Sequence, residues 1–277
     1  MPECIVSVKD VKFSYPAGVT AINGVSLEIG QGERVAILGS NGSGKSTLIL
    51  LMVGLLAPQK GEIKVFGEKT TSKDFKKFRS RIGIVFQDPD DQLFTQSVIE
   101  DVEYGPKNLK LPEEDIKQSS QKVLEKIGIY NLKDRPPYRL SFGEKKKASL
   151  ATALILKPEL LILDEPTANL DPVSRRALLS MLNELNRTGT TVLVSTHDVE
   201  ALPELADRVV VINHGTMLGK GGTSEVLQNL KLLGSACLEP PAIAKLFSEL
   251  KSAGLVKEIP ITISAGVREL RDVLMKK

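Results

Sequence analysis

The chain has 277 residues, 42% of them hydrophobic and 26% charged, close to an average soluble composition, which excludes disordered and fibrous architectures. Its length predicts about two domains on a prior of roughly 150 residues each, with a core large enough to need no disulfide or metal staple. A net charge of +3, from 37 Lys and Arg against 34 Asp and Glu, is too small to mark a nucleic-acid binder, and no nucleic-acid partner is expected. Cys4 and Cys237 have no CxxC spacing and only two histidines occur, so a reducing compartment is predicted and any metal must use oxygen ligands. The longest nearly unbroken apolar run, Leu48–Ala57, is ten residues, short of the ~20 a membrane helix needs, and Met1-Pro2-Glu3 opens no signal pattern. A chain that neither spans a membrane nor is secreted is expected.

In chain order, apolar residues alternate through Ile5–Tyr15 and Gly24–Ile29, with Pro16-Ala17-Gly18 and Gly30-Gln31-Gly32 as punctuation, predicting antiparallel strands. Arg34–Leu38 is a short apolar strand that runs into Gly39-Ser40-Asn41-Gly42-Ser43-Gly44-Lys45-Ser46 and then into Thr47–Leu56, long enough for a helix. Strands are predicted at Gly61–Phe66 and Arg81–Phe86, around a basic segment from Lys69 to Arg79 with a short helix. Between Asp88 and about Ala153 the pattern turns helical, with Pro112-Glu113-Glu114-Asp115 opening a helix carried by Ile116, Val123, Leu124 and Ile127. From Leu160 a β/α alternation resumes: strand Leu160–Leu163, helix Pro172–Asn186, strand Thr191–Ser195, a helix near Val199–Leu205, and a hairpin Val209–Ile212/Met217–Lys220. Such alternation implies a parallel sheet covered by helices on both faces. After about Leu238 the chain begins again, with helix Ala242–Ser252, a possible strand Glu258–Ile263 and helix Val267–Lys277. No internal repeat or low-complexity segment is present.

Gly39-x4-Gly44-Lys45-Ser46 fits the phosphate-loop pattern. The glycines let backbone N–H groups close around phosphate oxygens, Lys45 reaches the β/γ-phosphates, and the Ser46 hydroxyl can ligate Mg²⁺. Gly39, Ser40, Asn41, Gly42, Ser43, Gly44, Lys45, Ser46 and Thr47 are the expected cradle for a nucleoside triphosphate. Leu160–Leu163 is an apolar strand ending in Asp164 and Glu165, which suits delivery of a metal-directed Asp beside the loop. Glu165, one residue further on, is placed to polarise a water for attack on the γ-phosphate.

Leu140-Ser141-Phe142-Gly143-Glu144, whose Ser141 lies 23 residues before Asp164, resembles the signature motif of ATP-binding-cassette (ABC) ATPases. Gln87 resembles the Q-loop glutamine of that family, Ala168-Asn169-Leu170-Asp171 its D-loop, and His197 its switch histidine, while Tyr15 occupies the place of the aromatic that stacks on adenine. The resemblance covers about residues 3–225. It implies an α/β fold: a P-loop NTPase (RecA-like) core, an N-terminal antiparallel β-subdomain, a helical insert at about 88–153 and a small C-terminal α/β appendix. The ABC nucleotide-binding domain would span 1–234 and the appendix, a dimerisation element, 235–277.

In mechanism the resemblance implies ATP and Mg²⁺ as cofactors and a head-to-tail pair with a second copy or a homologous ATPase. Ser141 and Gly143 of one subunit would cap the nucleotide held by the other. His197 would contact the γ-phosphate and align Glu165 and water; Gln87 would join Ser46 and Asp164 around Mg²⁺; Asp171 would link the two sites. Where the family has a second glycine this chain has Phe142, whose ring is expected to point away from phosphate and pack on the helix. That variant, together with Gln87-Asp88-Pro89-Asp90-Asp91-Gln92-Leu93-Phe94 and the appendix, resembles the ATPases of energy-coupling-factor (ECF) importers, in particular the cobalt/nickel group. Integral membrane subunits are then the expected partners, docking around Gln87–Tyr104, and the cytoplasmic face of the membrane the expected location.

A vitamin importer, or a soluble ABC ATPase without a transport role, stands as the alternative. A small-molecule kinase would leave the signature and His197 unexplained. His214 in Asn213-His214-Gly215 is expected to be a turn residue. Lys73, Lys76, Lys77, Arg79 and Arg81, and likewise Lys145-Lys146-Lys147, are expected to be solvated surface. A packing role for Tyr15 against Val11 and Phe13 remains open.

Overall fold

Alternation at Val6 and Val8 and, beyond a register shift, at Val11 and Phe13, all buried, sets the inner face of β1 (Cys4–Ser14), which forms an antiparallel pair with β2 (Thr20–Gly30). β3 (Arg34–Leu38) leaves this sheet, founds a second, and passes through the glycine loop into α1 (Lys45–Met52). β4 (Lys60–Val65) and β5 (Glu68–Lys69) complete the first sheet in the order β2-β1-β4-β5. A 3₁₀ segment, Lys73–Arg81, leads to β6 (Ile82–Val85). The helical insert follows as α2 (Val98–Asn108), α3 (Glu113–Ile127) and α4 (Phe142–Leu154). Then come β7 (Leu160–Asp164), α5 (Pro172–Arg187), β8 (Thr191–Thr196), α6 (Leu202–Leu205), β9 (Arg208–Asn213) and β10 (Thr216–Gly222). The chain closes with α7 (Thr223–Gln228), α8 (Leu230–Ser235), α9 (Ala242–Ser252) and α10 (Ile263–Met275). This computed structural model describes residues 3–16 and 18–275.

The second sheet runs β10-β9-β3-β8-β7-β6, with every neighbouring pair parallel except the β9–β10 hairpin. Its central strands are buried on both faces, which is why β7 and β8 read as continuous apolar runs rather than alternating ones. α1 is apolar all round because it lies between the two sheets: Leu48, Leu51 and Met52 pack with Val6, Ile63 and Ile37. The insert has its own core around Leu124, Leu150 and Ala151, continuous with Leu161 and with Leu178 of α5. Ala36, Leu38 and Val209 face a third cluster with Leu227 and Leu233. Among the described residues no helix is long and apolar enough to cross a membrane.

Three local expectations change. The helix after the glycine loop stops at Met52, not Leu56, because Gly54 takes φ +69 and sits so close to Thr70 O that a Cβ there would lie 2.9 Å away. Glu258–Ile263 is not a strand, so the appendix is helical rather than α/β. Pro260 has no N–H for a ladder, and the Ile259 carbonyl instead accepts from Gln228 Nε2 at 2.6 Å. α10 therefore begins four residues earlier than the expected Val267. The expected end of that helix at Lys276 and Lys277, the opening Met1-Pro2, and Ala17 of the first turn lie outside the described residues. Neither α7 nor α8 stood out from the sequence.

Candidate functional site

Parallel strands deliver their carboxyl ends to one edge of a sheet, where α/β folds bind ligands. Here β3 ends in the glycine loop, β7 in Asp164 and Glu165, β8 in Thr196 and His197, and β6 just before Gln87. Because β3 pairs with β8 and β8 with β7, the loop, the histidine and the two carboxylates come from adjacent strands.

The loop is held by close packing that only glycine allows. A Cβ on Gly39 would lie 2.4 Å from Ile212 O and 2.5 Å from Ser43 Oγ, and one on Gly44, at φ +105, 2.5 Å from Ala21 O. The β9–β10 turn supports it from outside, since Gly215 N–H donates to Ser43 O at 2.9 Å, with His214 in the left-handed turn conformation at φ +44. α1 begins without a side-chain cap, so no capping side chain occupies its leading N–H groups, as an anion site requires. Ser43 Oγ is buried without a partner among the described residues, a polar group left for a ligand in the cradle. Tyr15 stands at the mouth, 38% exposed, its hydroxyl 3.2 Å from Thr47 Oγ1 and its ring edge-on to Phe13. It thus packs on Phe13 and still leaves much of its ring open beside the loop.

Lys45 is buried. Its ammonium donates to Gly39 O (2.9 Å) and Ser40 O (3.1 Å) and lies 3.3 Å from Glu165 Oε1. Glu165, also buried, turns off the end of β7 in the left-handed conformation, φ +46. For a side chain other than glycine, Asn or Asp this is a strained backbone position, and here it aims the carboxylate at the loop. Glu165 Oε1 also accepts from His197 Nδ1 at 2.9 Å, and Oε2 from Thr196 Oγ1 at 3.2 Å. Asp164 accepts from the Ser195 hydroxyl. Lys45, Glu165 and His197 therefore form one connected site, with Asp164 the residue before Glu165 at the end of β7.

The other candidates stand apart from it. Gln87 is exposed and held through its backbone, with Lys146 Nζ donating to Phe86 O and Gln87 O, both at 3.0 Å. Ser141 caps α4 in a reciprocal box: its N–H and hydroxyl both donate to Glu144 Oε2 (2.7 and 2.9 Å). Those bonds hold the Glu144 carboxyl below its usual range. A Cβ on Gly143 would touch nothing closer than Ser174 Oγ at 3.9 Å, so that backbone is open to approach. Phe142 is 36% exposed, so its ring is not enclosed in the helix packing expected of it. Asp171 caps α5, accepting from the Val173 and Ser174 N–H groups and from Ser174 Oγ, whose hydroxyl bond most strongly lowers its pKa.

Sequence reasoning placed Lys145-Lys146-Lys147 on the surface, and Lys146 corrects this. It is 4% exposed, and burial pulls its pKa down to about 8 against the opposing pull of Asp164, Asp88 and Glu165. The signal was its helical register, one turn before Leu150 on the buried stripe of α4. Ser195 and Thr196, which orient the two carboxylates, were also missed, being small residues at the end of an apolar strand. Among the described residues no three His, Cys, Asp or Glu side chains cluster to hold a metal. A metal here would have to draw on nucleotide phosphates together with a hydroxyl, an amide and a carboxylate, as Mg²⁺ commonly does, and Ser46, Gln87 and Asp164 supply that donor chemistry.

The profile of the ABC transporter family matches residues 22–168. An energy-coupling factor transporter ATP-binding protein of Methanothermobacter thermautotrophicus is 42% identical over 98% of this chain and 88% of its own length. That of Carboxydothermus hydrogenoformans is 39% identical over 98% and 97%. Among solved structures, cbiO1 of Clostridium perfringens, part of the ABC transporter complex cbiONQ, superposes with a TM-score of 0.74 at 39% identity over 89% of this chain and 99% of its own. A dimeric ATP-binding cassette in a post-hydrolysis state bound to ADP and Pi gives 0.73 at 28% identity over 79% and 98%. With the glycine loop, the paired carboxylates and the histidine joined at one sheet edge, the chain belongs to the ABC transporter family and is an ATPase of it.

Proposed function

We propose that this chain is the ATP-hydrolysing subunit of an ECF-type importer, acting as one of a pair at the cytoplasmic face of the membrane. The observation that carries the chemistry is the buried Lys45–Glu165 pair beside the glycine loop, bonded to the exposed ring of His197. The N–H groups of Gly39–Thr47 and the Lys45 ammonium bind the phosphates, Tyr15 offers its open face to the base, and Glu165 accepts the proton of the attacking water. His197 holds the Glu165 carboxylate and reaches the γ-phosphate. Mg²⁺, held by Ser46, Asp164 and Gln87, would neutralise charge developing on the β- and γ-phosphates. Ser141 and Gly143, which bond to no residue of the glycine loop among the described residues and leave the Gly143 backbone open, suit capping the nucleotide of a second subunit.

The ECF reading is supported by relatives of that name that match nearly the whole chain, appendix included. The cobalt/nickel group is favoured by the Phe142 signature and the Gln87–Phe94 segment. Phe94 and Tyr104, both exposed and packed edge-on at 4.9 Å, form an apolar patch within the Gln87–Tyr104 region proposed to receive a membrane subunit. The nucleotide-binding domain is assigned to 1–234, with the helical subdomain at 88–153, and 235–277 to a dimerisation element. The test is capture of Glu165→Gln with Mg·ATP from detergent-solubilised native membranes, followed by mass spectrometry. Integral membrane subunits should co-purify; recovery of soluble proteins alone overturns the importer assignment.

A further inference from the structure

The backbone around Gln87 has no regular structure of its own, because β6 ends at Val85 and a short 3₁₀ turn begins only at Pro89. Side chains from one face of α4, together with Gln92, fix it instead. Lys146 donates to the carbonyls of Phe86 and Gln87. Lys145 donates to both carboxylate oxygens of Asp90, at 2.6 and 2.9 Å. The Gln92 amide closes the circuit. Its oxygen accepts from Phe86 N–H (3.2 Å), and its nitrogen donates to Ile84 O (3.1 Å), Ser149 O (3.0 Å) and Thr152 Oγ1 (2.6 Å).

We propose that Lys146 is a positioning residue for Gln87, tying the glutamine's peptide to the signature helix so that Gln87 and the Ser141–Gly143 turn move as one body. Three observations favour a positioning role over simple packing. Lys146 occupies an apolar stripe of α4 where Leu150 and Leu154 are the neighbouring turns, a place an aliphatic residue would fill at lower cost. Among the described residues its ammonium is in no salt bridge, so the two loop carbonyls are what satisfy it. Both of those carbonyls belong to the peptides that flank the Gln87 Cα. α4 carries the signature turn at its start and Lys146 one turn later, so a rotation of the helix transmits directly to Gln87.

The inference rests on the reading that Gln87 acts at the nucleotide. Its test is a double-mutant cycle on steady-state hydrolysis of Mg·ATP by the full chain, using Lys146→Met, Gln87→Ala and the pair. Lys146→Met should lower kcat by about 10-fold with KM within about 2-fold, and in the Gln87→Ala background its effect should shrink to less than about 2-fold. Lys146→Gln, which retains a donor for one carbonyl, should be intermediate and serves where the methionine variant folds poorly. An equal loss from Lys146→Met in both backgrounds overturns the Lys146 assignment and leaves Gln87's role intact. A Gln87→Ala chain as fast as the parent overturns the Gln87 reading and this inference with it.

Discussion

The Lys45 ammonium lies 3.3 Å from Glu165 Oε1, with both side chains buried, so the cation proposed to bind phosphate and the carboxylate proposed as general base are ion-paired across the site. Phosphate oxygens and Glu165 therefore compete for the same ammonium. Removing the charge at Glu165 should help one function while abolishing the other. For Glu165→Gln, ATP affinity measured by calorimetry should rise by about 5-fold, equivalent to roughly 1 kcal/mol. Turnover should fall by about 100-fold or more, the range for loss of a positioned base. Unchanged turnover would remove Glu165 from the base role.

Lys45→Ala has the opposite sign for binding. It removes the proposed phosphate ligand and leaves the buried Glu165 carboxylate, among the described residues, with His197 and Thr196 as its side-chain partners. Breaking one side of a buried pair costs about 3–5 kcal/mol where no water enters. The variant should lose ATP binding by calorimetry and melt at a lower temperature, whereas Lys45→Arg should recover part of the stability. Retained ATP affinity in Lys45→Ala would contradict the assignment.

The phosphate loop also depends on a turn far away in sequence. Gly215 has φ +72, its N–H holds Ser43 O, and a Cβ there would lie 2.5 Å from Ala21 O. Gly215→Ala should destabilise the chain by about 1–3 kcal/mol through backbone strain and displacement of β2. It should also weaken ATP binding, although the residue touches no nucleotide. Gly18→Ala, at φ +79 with open space around its Cβ position, carries the strain without the clash. It should leave ATP affinity unchanged, and calorimetry on the two variants separates the effects.

Asp101 gives a pH signature. Its Oδ1 accepts from the Phe94 and Thr95 N–H groups (3.0 and 3.1 Å), while buried Oδ2 has no partner among the described residues. Burial raises its pKa, outweighing those two backbone bonds. A carboxyl whose folded pKa lies above its unfolded value penalises the fold once charged. The penalty is absent below the unfolded pKa, grows as pH rises between the two values, and is complete above the folded one. Asp101→Asn keeps the Oδ1 acceptor and removes the charge. It should raise the melting temperature at neutral pH by about 2–4 °C, a gain that disappears as pH falls through the raised pKa. A pH-independent difference between the two chains would rule out this account.

The glycine loop, the apolar strand ending in Asp164-Glu165 and the signature were legible because each depends on residue identity at fixed short spacing. The two-residue period of Ile5–Tyr15 likewise revealed the first sheet, and the β/α alternation from Leu160 the second. Three-dimensional support was not legible. Gly215 steadies Ser43 across 172 positions, and Ser195 and Thr196 orient carboxylates 31 positions away. Lys146 read as surface because charge was weighed above helical register. The appendix read as part strand because Ile259 and Ile261 alternate around Pro260, although Gln228 engages the Ile259 carbonyl and, among the described residues, no partner strand runs alongside.

The appendix also supplies the last prediction. α10 turns Gly266 inward against Ile243 and Phe247 of α9 and leaves Ile263, Val267, Leu270 and Leu274 exposed at alternating spacings of four and three. That is the spacing of a helix seam meeting another helix. Because the stripe lies on the outer side of α10, charged substitutions on it should spare the fold while blocking self-association. Val267→Glu with Leu274→Glu should weaken the dimer seen by analytical ultracentrifugation in Mg·ATP by about 10-fold or more, since each buried aliphatic side chain contributes roughly 1.5–3 kcal/mol. Its melting temperature and its affinity for ATP, both measured on the dilute monomer, should be those of the parent, since only the paired state loses contacts. A dimer constant equal to the parent's would place the contact between subunits elsewhere and withdraw the dimerisation role from 235–277.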